Sequence, residues 1–166
     1  SNAMPSVSRD GRKIAFVSNR SGTFRIWVSD LDGSDARLIS PPPGEQNEGL
    51  QLPIEQKVPA WSPDGKWIIF RSDRKEEHML QIYVIGIDGK NEVALTDTTG
   101  VNWGPYWHPS KPYIIWSGAD HSTGGRPNYD LWLAKYSISD KGQFSIGESV
   151  RVTDNVSADV LPVFSP

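Results

Sequence analysis

The side chains here that could hold a metal or move a proton are three histidines, His78, His108 and His121, and 20 carboxylates. The histidines do not fall at the short spacings by which two imidazoles grip one metal ion. There is no cysteine, which removes thiolate nucleophiles, disulfides and sulfur-ligated metals from consideration. No Gly-x-Ser-x-Gly elbow is present to present a serine nucleophile. No glycine-rich loop is present to cradle phosphate. Asp30-Leu31-Asp32-Gly33-Ser34-Asp35 begins like a calcium loop, but its glycine is fourth, whereas an EF-hand needs glycine at six and glutamate at twelve. A solvated turn is the better reading. The chain is therefore expected to be no catalyst, with no cofactor and no metal.

What must position any functional residue is a phrase that recurs along the chain. Pro59-Ala60-Trp61-Ser62-Pro63-Asp64-Gly65-Lys66 is its clearest form. Pro5 to Arg12 and Pro105 to Pro109 repeat it, and Pro162-Val163-Phe164-Ser165-Pro166 opens it once more. The prolines at 5, 59, 105 and 162 are spaced 54, 46 and 57 residues apart. Such a period signals a repeat architecture, and its length suits a blade of four short strands in a β-propeller. Each phrase is followed by an apolar run (Ile14 to Val17, Ile68 to Phe70, Tyr113 to Trp116) and a second extended run around Trp27, Tyr83 or Trp132. Asp32-Gly33 and Asp88-Gly89 then read as type I′ hairpin turns, which need positive φ at both central residues. A short last run closes each unit.

Apolar residues at consecutive positions, rather than alternate ones, mark a strand buried on both faces. A blade between two other blades meets that condition, and a lone sheet does not. The reading is an all-β propeller with three four-stranded antiparallel blades at about 5–40, 59–97 and 105–154. Residues 155–166 are the first strand of a fourth. The segment 4–166 is one unit, and Ser1-Asn2-Ala3 reads as a scar of tag removal.

Pro-x-Trp-Ser-Pro-Asp-Gly-Lys, then Ile-x-Phe-x-Ser-x-Arg, then Ile-Tyr-Val, an Asp-Gly hairpin and Leu-Thr resembles the WD-like repeat of TolB-type propellers. The propeller domains of prolyl oligopeptidase-family enzymes carry the same repeat. The resemblance runs from residue 5 to 166. It departs at Ser110-Lys111-Pro112, which replaces Asp-Gly-Lys, and at Arg9, which replaces proline. It implies half of a six-bladed ring, a periplasmic location and a protein or peptide partner. No secretory signal stands in this chain.

Three blades leave two blade faces bare, and a bare apolar face is an association site. A homodimer completing the ring is one solution; a longer chain is the other. In the first, residues 155–166 would pair with blade one of a partner. Candidate binding residues are those that break the pattern. His108 takes the place of the phrase serine, where a hydrogen bond within the turn is its expected task. His121 and Arg126 lie in an insertion over 120–130 in blade three. Glu48 and Glu55 lie in the connector after blade one, which should approach the channel mouth. Both insertions also read as plain solvated loops. The net charge of −3 argues against nucleic acid, and the longest apolar runs are too short to span a membrane. Two functions remain: a non-catalytic binding module, or the accessory propeller of a peptidase whose catalytic domain is absent here.

Overall fold

A computed structural model describes residues 2–40, 56–119 and 127–165, with backbone alone at 56 and 57. It is all-β, and the described residues contain no helix. The first antiparallel sheet contains β1 (Asn2–Val7), β2 (Lys13–Ser18), β3 (Arg25–Asp30) and β4 (Arg37–Ser40), paired in sequence order. The second contains β5 (Gln56–Trp61), β6 (Trp67–Ser72), β7 (Gln81–Gly86) and β8 (Val93–Ala94), again a meander. The third contains β9 (Val101–Trp107), β10 (Tyr113–Ala119) and β11 (Asp130–Ile138), with β12 (Phe144–Ile146) and β13 (Val150–Arg151) both pairing with β11. Its fourth strand is thus split in two, and the sequence reading found only the second piece.

The turns between first and second strands are built by the phrase itself. Ser8 Oγ donates to Asp10 Oδ1 at 2.7 Å and accepts from the Lys13 amide, while Asp10 Oδ1 also accepts from the Arg12 amide. Ser62 and Asp64 repeat this wiring with Lys66 and Trp67. The turns between third and fourth strands are not type I′. In each, a three-residue loop is closed by a backbone pair: Asp30 with Ser34, Gly86 with Lys90, Ser139 with Gln143. Only the last loop residue has positive φ: Gly33 at 87°, Gly89 at 80° and Gly142 at 73°. This is a type I turn followed by a left-handed glycine. The aspartates stay in ordinary backbone space because Asp32 and Asp88 each use Oδ1 to accept the amide two residues on.

The three sheets stack face to face. Ala15, Val17, Ile26, Val28 and Ile39 of the first sheet meet Ile68, Phe70, Tyr83 and Ile85 of the second. The second sheet's opposite face, Trp67, Ile69, Ile82 and Val84, meets Trp107, Ile114, Trp116, Ala134 and Phe144 of the third. Strands β6 and β7 are accordingly buried on both faces. Strand β2 is not. Its consecutive apolar run reads alike, yet Ile14 and Phe16 are only half-buried, because no sheet covers their side among the described residues. At each junction an indole ties a first strand to the one before it. Trp61 Nε1 donates to the Ser6 carbonyl at 2.8 Å, and Trp107 Nε1 to the Ala60 carbonyl at 3.2 Å.

Residues 155–165 form no strand, so the expected first strand of a fourth blade is absent as a strand. They nevertheless follow its path over the chain's own third sheet. Asp159 N donates to the Tyr129 carbonyl at 2.8 Å, matching Asn102 N to the Leu80 carbonyl at 2.8 Å one sheet earlier. Five residues beyond Asn102 stands Trp107; five beyond Asp159 stands Phe164, its ring 4.6 Å from that of His108. Pro162 is buried, and the Leu161 amide donates to Ser117 Oγ at 3.0 Å. Among the described residues, no strand pairs with this path.

Candidate functional site

Because the three first strands lie side by side, the residues of the repeated phrase converge on one surface. There they line a cleft of about 300 Å³, between Ser6, Val7 and Arg9 of the first sheet, Ala60 to Pro63 of the second, and Tyr106, Trp107 and Pro109 of the third. Its walls are aromatic and proline side chains, and Val7 and Tyr106 stay exposed within it (53% and 43%). Among the described residues, Arg9 is the one cation that lines it. It stands where the second and third phrases have Pro63 and Pro109, and its Nη1 reaches the Pro109 carbonyl at 3.4 Å. The neighbouring carboxylate of Asp10 is held in its own turn by Ser8 and the Arg12 amide, which keeps it below the usual carboxylate range. Arg9, Trp61 and Pro63 are shared with a second hollow, lined also by Asp10, Lys13, Asp64 and Ile87. The sequence reading missed this cleft; Arg9 as an exception to the repeat was its available signal.

Of the five candidate binding residues, only His108 lies among those described. Its Nδ1 accepts the amides of Ser110 and Lys111, both at 3.1 Å. The imidazole thus caps its turn on different amides from Ser8 and Ser62, which accept the amide five residues on; here that amide, of Tyr113, donates to the Lys111 carbonyl at 2.8 Å. Glu48, Glu55, His121 and Arg126 lie outside the described residues.

A second polar cluster sits in the seam between the first and second sheets. Arg74 pairs with Glu92 and donates from Nη2 to Ser40 Oγ at 3.1 Å, and Ser40 also bonds Glu92. The guanidinium of Arg74 lies 4.3 Å from the centre of the Tyr83 ring. Burial, then the charge of Arg74, lowers the pKa of Arg25 beside it. Burial pushes the Tyr83 phenol up, and its hydroxyl is buried with no hydrogen-bond partner. With both Glu92 oxygens engaged, the cluster has the form of a structural clamp. Among the described residues, no group of three or more histidines and carboxylates is placed to hold a metal ion, and no helix is long and apolar enough to cross a membrane.

No family model matches the chain. It is 30% identical over 122 residues to an uncharacterized protein of Agrobacterium fabrum, covering 72% of this chain and 37% of that one. It is 28% identical over 99 residues to the Tol-Pal system protein TolB of Desulfosudis oleivorans, covering 60% of this chain and 20% of that protein. Among solved structures, a TolB of Agrobacterium tumefaciens superposes with a TM-score of 0.62 at 23% identity, over 91% of this chain and 50% of the other. The β-propeller domain of the Trilobed protease from Pyrococcus furiosus superposes with a TM-score of 0.57 at 16% identity, over 93% and 44%. The resemblance to TolB-type propellers therefore holds in sequence and in three dimensions. The chain spans little more than a third of the first relative's length and half of the first structure's.

Proposed function

We propose that the chain is a non-catalytic β-propeller binding module of TolB type. Residues 4–166 form three blades, and a second copy completes a six-bladed ring. One observation carries the reading: the second sheet is covered on both faces, whereas Ile14, Phe16, Trp27 and Leu38 on the outer face of the first are only half-buried. The Trp27 indole N–H is buried there without a partner. At the other end, Pro162 and Phe164 trace the entry of a further blade. A propeller that leaves such faces to water gains by association. Burying on the order of 2,000 Å² would suit an obligate pair. Half-coverage of a solved TolB structure agrees with a half ring. The inner cleft, and the insertions bearing Glu48, Glu55, His121 and Arg126 together with His108, are where a protein or peptide partner binds. The test is Phe16→Asp, which places a charge on the outer face of the first sheet. Sedimentation velocity is expected to move from dimer to monomer; an unchanged profile would remove this face from the assembly.

A second reading has one specific support, the likeness to a protease propeller domain. In it the chain is the accessory propeller of a peptidase. Hydrolysis of proline-containing peptides that co-purifies with the protein would overturn the non-catalytic half of the proposal.

A further inference from the structure

The inner cleft is built to hold more than apolar surface. Arg9 lies at its edge, exposed, where both corresponding positions carry proline. The guanidinium carries five N–H donors in a rigid fork. Arg9 spends one on the Pro109 carbonyl at 3.4 Å, a long contact, and makes no ion pair among the described residues. Among the described residues, the carboxylates of the neighbouring turns already have partners. Asp10 is held by Ser8 and the Arg12 amide, Asp64 by Ser62 and the Lys66 amide, and Asp30 by Lys13 at 2.7 Å. The cation is thus left facing a cleft walled by Trp61, Tyr106, Trp107, Pro63 and Pro109. Arg9 also spans from the first-sheet turn to the third-sheet turn, so it bounds the cleft at that edge. A volume of about 300 Å³ lies at the small end of ligand sites, which run roughly 300–1,000 Å³.

We propose that this cleft binds the C-terminus of a peptide, with the α-carboxylate on Arg9 and the last apolar residues between Trp61 and Tyr106. Planar, bidentate recognition of a carboxylate is what a guanidinium does best. Aromatic and proline walls offer flat apolar surface to proline or aromatic residues just before it. A chain end fits a short cleft bounded by its own anchor, whereas an acidic side chain in mid-peptide would have to lead two strands of chain out of it. This rests on the binding-module reading and names the ligand class of that module.

The probes are the tripeptides acetyl-Ala-Pro-Phe, acetyl-Ala-Pro-Tyr and acetyl-Ala-Pro-Leu as free acids, their C-terminal amides, and acetyl-Ala-Pro-Glu-Ala amide, which carries its carboxylate on a side chain. Binding is followed by amide and indole chemical shifts of the whole chain. The expected result is saturable shifts at Arg9, Trp61 and Tyr106 for at least one free acid, with its amide and the internal glutamate about tenfold weaker or worse. Arg9→Pro installs the residue that the same turn accepts at Pro63 and Pro109, so the fold is kept; it should erase the preference for acid over amide. Arg9→Lys should retain part of it. The preference should also shrink as salt is raised. Equal binding of acid and amide, binding of the internal glutamate as well as the free acids, a preference that survives Arg9→Pro, or no shifts with any acid at about 5 mM would each overturn the proposal. Light scattering on the same samples separates the two claims: an intact assembly that ignores the acids removes this site and leaves the ring, and the reverse result removes the ring.

Discussion

At the residue scale, His108 shows how an exception to a repeat caps its turn by another route. Nδ1 accepts the amides two and three residues on, whereas Ser8 and Ser62 accept the amide five residues on; a serine hydroxyl can also accept the amide two residues on. His108→Ser is therefore expected to leave stability within about 0.5 kcal/mol. His108→Ala should cost about 1 kcal/mol, since the amides lose their acceptor; urea denaturation distinguishes the two. Asp10 gives a pH signature. Its pKa lies below 3.8 because Ser8 and then the Arg12 amide bond the charged form. A lowered folded pKa means that its stabilisation is present above that value and fades as pH falls through it. In Ser8→Ala, NMR titration of the Asp10 carboxyl should show the pKa moving back up. Tyr83 works in the opposite direction. Burial raises its phenol above the ordinary 10.0, so its contribution is full below that pH and is lost as pH rises beyond it. Tyr83→Phe removes a hydroxyl that has no partner. It should leave stability at pH 7 equal or up to about 1 kcal/mol higher, and should weaken the fall in stability above pH 10.

At the scale of elements, the sheets were legible because each strand carries its own punctuation. Ser-x-Asp-Gly marks the first turn, and glycine at 33, 89 or 142 marks the last. Two readings failed for physical reasons. Asp-Gly suggested type I′ turns, but an aspartate that bonds the amide two residues on settles into a type I turn with the glycine left-handed after it. Residues 144–146 escaped notice as a strand, since three residues are too few to show a period. The inner cleft was not legible either, because it arises from three turns that are 46 residues or more apart in sequence. A consecutive apolar run also says only that a strand can be buried on both faces. Ile14 to Val17 and Ile68 to Phe70 look alike, yet only the second run is covered on both. Phe70→Ala should accordingly cost about 3–5 kcal/mol. Phe16→Ala should cost about 1 kcal/mol in the isolated chain, because its ring is only partly removed from water. In the proposed dimer, the cost at Phe16 would rise toward that at Phe70.

At the scale of the whole molecule, the first sheet has an outer face that no sheet covers among the described residues. The junction between first and second sheets and that between second and third share one plan, an apolar face sealed by an indole on a backbone carbonyl. Asp159 and Phe164 follow part of that plan over the third sheet, through the Tyr129 carbonyl and the His108 ring, without an indole to seal it. In the proposed ring, two copies would join end to end twice. Light scattering across a dilution series is the direct measurement. The account predicts a particle of twice the 18.4 kDa chain mass that persists to low micromolar concentration. A well-folded particle of 18.4 kDa at those concentrations would contradict it.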